Sequence, residues 1–199
     1  MKIKEVFFTI QGEGEHTGRP AVFCRFSGCN LWSGREKDRA SAVCQFCDTN
    51  FVGGDTYTEA ELIQVINDCW GGKSGRKFVV FTGGEPALQL TSTMIHRLQR
   101  DGFDVAVESN GSLPLPSGVY WRTISPKAGA DLVETRGSEL KVVWPQDLDL
   151  DMLERLDFHI RYLQPMDGHE GSTKMCIDEV VQRPNWRLSL QTHKWAGIR

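Results

Sequence analysis

Short runs rich in β-branched and aromatic residues alternate along this chain with stretches whose apolar residues recur at helical spacing. No other feature limits the fold as strongly. Strand signals fall at Ile3 to Ile10, Ala21 to Phe26, Lys77 to Phe81, Phe103 to Glu108, Leu140 to Val143, Ile160 to Leu163 and Arg187 to Leu190. Between them, Thr58 and Glu61 form a capping-box signature ahead of Leu62, Val65, Ile66 and Cys69 on one helical face, and Gly71 and Gly72 stop that helix. Leu90, Met94, Ile95 and Leu98 repeat the spacing up to Gly102, and Leu148 to Leu156 and Thr173 to Val181 read as two weaker helices. Strand, helix and strand in repetition predict an α/β fold with a largely parallel sheet, whose active site gathers at the carboxyl ends of the strands.

At 199 residues, with no internal repeat or low-complexity tract, the chain reads as a single domain spanning residues 1–199. A net charge of −3 provides no general field for nucleic acid or anionic membrane. No signal-peptide core precedes Gln11, and the longest later apolar stretch, Phe78 to Phe81, is far short of a membrane helix. The expectation is a cytoplasmic protein acting without nucleic acid or membrane. In that reducing compartment clustered cysteines are metal ligands or reactive thiols rather than disulfides.

One segment breaks the alternation. The loop at about 27–54 holds Cys29, Cys44 and Cys47, spaced Cys-x14-Cys-x2-Cys. Loops of this length are functional or disordered. Structural zinc asks for four protein ligands, and no second Cys-x2-Cys or His-x3-5-His follows. Cys24, which shares a strand face with Val22 and Phe26, reads as a core thiol, and Cys69 and Cys176 fit the apolar faces of helices. Three thiolates without a fourth suit a four-iron cluster that leaves one iron open. His16, His96, His159 and His169 have no metal spacing.

With this trio the chain resembles the radical S-adenosylmethionine (SAM) enzymes, in which three cysteines hold a [4Fe-4S] cluster and SAM occupies the open iron. The 14-residue gap departs from the usual three-residue spacing. Phe46 before the last cysteine resembles the family's aromatic beside the adenine, and Gly83-Gly84-Glu85-Pro86 after a strand resembles its SAM amino-group motif. Further matches run in one order along nearly the whole chain: Phe8-Thr9-Ile10-Gln11-Gly12-Glu13-Gly14, Glu108-Ser109-Asn110-Gly111, Ser125-Pro126-Lys127 and Gln164-Pro165-Met166-Asp167. Together they resemble the 7-carboxy-7-deazaguanine synthase family of queuosine biosynthesis.

That resemblance implies a partial, shortened (βα)6-type barrel. It also implies ring contraction of 6-carboxy-5,6,7,8-tetrahydropterin to 7-carboxy-7-deazaguanine, with loss of ammonia. Carried over by position, Cys29, Cys44 and Cys47 would hold the cluster. Phe46, Cys47, Asp48, Gly84, Ser125, Pro126, Lys127, Gln164, Pro165, Met166 and Asp167 would surround SAM. Thr49 would bind Mg2+. Ile10, Gln11, Gly12, Glu13, Arg25, Thr82 and His193 would meet the substrate, with the terminal carboxylate of Arg199 at the pterin's amino edge. A homodimer and a flavodoxin-type electron donor are further family expectations.

The residues themselves support several of these roles. Arg25, on a strand among apolar neighbours, suits a bidentate grip on a carboxylate, the alternative being an ion pair with Glu13 or Glu85. Asp48 and Thr49 offer hard oxygen donors, the alternative for Asp48 being a loop cap. Glu108 ends a strand where catalytic groups sit and is the candidate proton carrier, an ordinary solvated carboxylate being the alternative. Two other functions stay open: an activase that generates a glycyl radical on a partner protein, and a non-catalytic zinc-binding interaction module.

Overall fold

A computed structural model describes residues 1–198. Arg199, expected at the substrate, lies outside the described residues. The chain runs β1 (Lys2–Ile10), β2 (Pro20–Phe26), β3 (Asp55–Thr56), α1 (Glu59–Trp70), β4 (Lys77–Gly83), α2 (Ser92–Arg100) and β5 (Phe103–Ser109). It continues through β6 (Trp121–Ile124), β7 (Arg136–Trp144), α3 (Leu150–Glu154), β8 (Asp157–Pro165), α4 (Ser172–Gln182), β9 (Arg187–Leu188) and α5 (Thr192–Ala196). The strands form one nine-stranded sheet in the order β3-β1-β2-β4-β5-β6-β7-β8-β9. From β2 through β4 to β9 neighbouring strands are parallel, and β1 and β3 add an antiparallel edge.

Every strand and helix expected from the sequence is present, the first of the two weaker helices shortened to α3 and the second extended by one residue at each end as α4. The predicted strand at Arg187 to Leu190 contracts to β9. The sequence reading missed β6, only four residues long and half-exposed at Trp121 and Arg122, as well as two-residue β3 and five-residue α5. The shortening of the barrel falls at two crossovers: the connections from β5 to β6 and from β6 to β7 carry no helix.

Period-two alternation sorts the strand residues between two environments. Val22, Cys24, Phe26, Val79, Phe81, Val105, Val107, Leu140, Val142 and Leu163 face the helices and form the main core with Leu62, Ile66, Met94, Ile95 and Leu98. Each fully buried Phe, Leu or Ile there contributes about 1.5–3 kcal/mol. The opposite face carries a smaller cluster of Ala21, Phe23, Phe78, Val80 and Ala106. Along that same face, toward the strand ends, stand Arg25, Thr82, Glu108 and Lys141, which line a cavity. Helix ends follow local chemistry: Thr58 and Glu61 form the expected reciprocal cap of α1, and Thr91 caps α2 through the Met94 amide.

A loop floors the inner face. After β1 the chain folds inward over residues 11–19 before returning as β2. Its Glu15 amide donates to Glu139 of β7 (3.0 Å), Tyr162 of β8 donates to the Glu15 carboxylate (2.7 Å), and Arg19 pairs with Asp104 of β5 (2.6 Å). His16 packs against Phe78 and Trp121, at 4.9 and 4.5 Å between ring centroids.

Candidate active site

The cavity, of about 380 Å³, lies at the carboxyl ends of β2, β4, β5, β7 and β8. Its upper wall is the cysteine loop. Cys29, Cys44, Phe46, Cys47, Asp48 and Thr49 all line it. The loop has little regular structure beyond a single 3-10 turn over Glu36–Ser41, but it carries its own small core, with Trp32 set edge-on to buried Phe51 at 5.5 Å.

The turn at the end of β4 bolts this loop to the sheet. The Gly84 amide donates to the Phe26 carbonyl (3.0 Å) and the Glu85 amide to the Gly28 carbonyl (2.8 Å). A Cβ on Gly84 would stand 1.7 Å from the Gly28 oxygen, and Gly83 has φ 119°, so neither position tolerates a side chain. Glu85 is fully buried, and its carboxylate accepts from the amides of Ala87 (2.9 Å) and Asn110 (2.8 Å) and from the Ser109 hydroxyl (2.8 Å). Burial pushes the Glu85 carboxyl above its ordinary range, against the pull of those donors. Asn110 then reaches Asn30 (3.0 Å) and the sulfur of Cys29 (4.0 Å), which ties the first cysteine to the end of β5.

The other two cysteines are hydrogen-bonded to each other. The Cys44 thiol is raised by its bond to Cys47 and by burial, and Cys47 is held low by the same bond. Burial raises Cys29. Beneath them Lys127 is half-buried, its ammonium donating to the Ser125 hydroxyl at 2.8 Å. Burial pulls that ammonium below the usual lysine range despite the opposing thiol charges. Among the described residues no three His, Cys, Asp or Glu side chains group as a site for a single metal ion. Cys24, Cys69 and Cys176 belong to the helix-side core or pack against it, as expected.

The lower wall is acidic and bridged by a buried lysine. Gln11 donates to Glu108 Oε1 (2.9 Å), and the Thr82 hydroxyl donates to Glu108 Oε2 (3.0 Å). Lys141, 5% exposed, is ion-paired with Glu13 and stands 3.8 Å from Glu108. Burial acts to raise the Glu13 carboxyl, but the Lys141 charge and hydrogen bond outweigh it and hold the group below its ordinary range. The same carboxylates, Glu108 foremost, raise Lys141 despite its burial.

Residues 191–194 close the side. Thr192 donates through amide and hydroxyl to the Gly12 carbonyl, both at 2.9 Å, and Gln191 donates to Glu13 at 2.8 Å. Lys194 joins Asp48 (2.5 Å) to Asp167 (2.9 Å), which holds Asp48 below the usual carboxylate range against its burial.

Ile10, Gln11, Gly12, Glu13, Arg25, Thr82, Glu108 and His193 therefore meet Gly84, Ser125, Lys127, Gln164, Pro165 and Asp167 around one space. Pro126 and Met166 do not line it. Arg25 takes neither of the acidic partners the sequence suggested: its Nε donates to Glu5 at 2.9 Å, because Glu5 faces it directly across the β1–β2 pairing. The sequence reading missed Lys141, Asn110, Gln191 and Lys194 as cavity residues. A lysine between Leu140 and Val142 was a legible anomaly, since lysine is rarely buried unpaired. Gln191 and Lys194 carried no such signal.

No family model matches the chain. It is 52% identical over 205 residues to the 7-carboxy-7-deazaguanine synthase of Burkholderia multivorans, with 98% of each chain covered. The chain belongs to the 7-carboxy-7-deazaguanine synthase family. The synthase of Bacteroides thetaiotaomicron is 42% identical over 198 residues, covering 100% of this chain and 98% of its own. The crystal structure of QueE from Escherichia coli superposes with a TM-score of 0.73 at 26% identity, covering 96% of this chain and 93% of that one. Membership in the synthase family makes the protein an enzyme, a radical SAM lyase of queuosine biosynthesis with the family's α/β fold. No helix among the described residues is long and apolar enough to cross a membrane.

Proposed function

We propose that this single-domain chain, spanning 1–199, converts 6-carboxy-5,6,7,8-tetrahydropterin to 7-carboxy-7-deazaguanine with release of ammonia. One observation carries the reading: the cysteine loop, the Gly83-Gly84 turn and the Glu108–Lys141 group face each other across one cavity. The donor set fits the implied cofactors. Cys29, Cys44 and Cys47 supply three separate thiols on one wall, as a polynuclear core with one open corner requires. When bound, the [4Fe-4S] cluster and SAM supply the electron and the hydrogen-abstracting radical.

The chain supplies the rest. Gly84, Phe46, Lys127, Gln164 and Asp167, with Ser125 and Asp48, would hold SAM between the cysteine loop and the ends of β4 and β8. Cys47 serves as a cluster ligand beside it. Arg25 has its Nε committed to Glu5, which leaves the outer nitrogens of the fork for a substrate carboxylate. Gln11, Gly12, Glu13, Thr82 and His193 would meet the pterin, with Ile10 against its ring and Arg199 at its amino edge. Glu108, oriented by Gln11 and Thr82, is positioned to carry a proton. Thr49, half-buried on the wall, offers a hydroxyl to Mg2+, which keeps most of its waters. A cytoplasmic homodimer drawing electrons from a flavodoxin-type donor completes the proposal.

The test is anaerobic incubation of the reconstituted enzyme with SAM, reductant, Mg2+ and the carboxypterin. The expected result is a product of the mass of 7-carboxy-7-deazaguanine and one equivalent of ammonia. Unchanged pterin with SAM cleaved would overturn the substrate. One zinc and no iron or sulfide per chain would overturn the chemistry.

A further inference from the structure

We infer that Arg39 is the positioning residue that sets Cys44 and Cys47 for their metal core, and that the long Cys29–Cys44 spacing supplies it. The inference rests on the cluster-binding reading above and names how this chain serves it.

Between Cys29 and Cys44, Leu31 and Trp32 are buried, but the turn that follows them packs little. That 3-10 turn, Glu36–Ser41, contains no buried residue. What it presents is one guanidinium. Arg39 Nη1 donates to the carbonyls of Gln45 (2.9 Å) and Cys47 (3.1 Å), which bracket Phe46. Its Nε is held by both Glu36 oxygens, each at 2.9 Å, and its plane lies 4.1 Å over the Trp32 ring. Trp32 is in turn 8% exposed and braced by Phe51.

Residues 43–51 have no helix or strand assignment, so no ladder satisfies their carbonyls. A planar fork with several fixed donors does so at two points of one short segment. Fixing the carbonyls on either side of Phe46 restricts the backbone rotations that aim the sulfurs at 44 and 47. Glu36 and Trp32 restrict the arginine itself, so little side-chain freedom remains to be lost when the core binds. Lysine could reach one carbonyl but neither fork nor stack.

The test compares R39A, R39K and R35A with the natural chain, all reconstituted anaerobically. Iron and sulfide content, visible circular dichroism and iron release to a chelator are measured. Metal-free samples are cut with chymotrypsin, which cleaves beside Trp32, Phe46 and Phe51. R39A is expected to release iron about tenfold faster, the effect of losing roughly one charged hydrogen bond. Its dichroism changes, its metal-free loop is cut faster, and its global melting stays near that of the natural chain. R39K falls between, and R35A, in the same loop, matches the natural chain. Wild-type release with unchanged dichroism in R39A, or equal effects of R39A and R35A, would overturn the inference. Should R39A fail to accumulate, R39K carries the same comparison at smaller amplitude. A natural chain that holds no iron or sulfide overturns the proposed function instead, and the chymotrypsin comparison still decides whether Arg39 fixes the segment.

Discussion

Lys141 is the residue on which the lower half of the cavity depends. Its ammonium satisfies Glu13 and approaches Glu108, and Glu139 adds to its charge environment from two residues away on the same strand. Removing one member of a buried ion pair leaves the other charge uncompensated. Lys141→Met should therefore lower stability by about 3–5 kcal/mol, or roughly 6–20 °C in Tm, measured by thermal melting. The pH dependence follows from signs. Glu13 is lowered in the folded state, so its contribution is present above the ordinary glutamate value of 4.5 and is lost as pH falls through the lowered folded value. Lys141 is raised, so its contribution is present below the ordinary lysine value and lost only at strongly alkaline pH. The stability gap between the natural chain and Lys141→Met should accordingly narrow from pH 7 to pH 3 in urea titrations. A constant gap would show that Glu13 is not the carboxylate Lys141 holds ionised. The lysine's oddity was visible from its apolar neighbours, but its partners were not, because Glu13 and Glu108 are distant in sequence.

At the scale of elements, the turn from β4 into the Glu85-Pro86 segment joins sheet to cysteine loop through backbone alone. The Gly84 site offers no room: the nearest obstacle is a carbonyl oxygen, which cannot swing aside as a flexible side chain can. Gly84→Ala should separate Gly28 from the turn, lower Tm by several degrees and reduce iron retained after reconstitution by several-fold. Unchanged iron content and melting would mean that this junction does not position Cys29. The same scale explains where sequence reading succeeded. The α1 boundary was legible because Thr58 and Glu61 satisfy each other's orphan amides within four residues. β6 was not, since only four residues pair and its first two are half-exposed.

Across the whole molecule, the cavity is closed by pieces that meet only after the sheet has formed. The loop at residues 11–19 supplies the floor, and α5, which contains no buried residue, is held over one side by polar contacts. Lys194 is 38% exposed at its side chain, so its two ion pairs are expected to contribute about 1 kcal/mol or less to stability. Lys194→Met should leave Tm nearly unchanged while raising the KM for the pterin several-fold, because α5 carries His193 against Gly12. A KM equal to that of the natural chain would remove α5 from substrate binding. By itself the sequence determined seven of the nine strands, the capped start of α1, the face that carries Val22, Cys24 and Phe26, and the cysteine trio with its spacing. Those depend on periodicity and turn chemistry within a few residues. Tertiary structure alone decided that Glu5 is the partner of Arg25, that Lys141 stands between Glu13 and Glu108, and that Lys194 joins Asp48 to Asp167. Such pairings follow from strand order and register, which bring together charges 20 to 146 residues apart in the chain and leave no local trace.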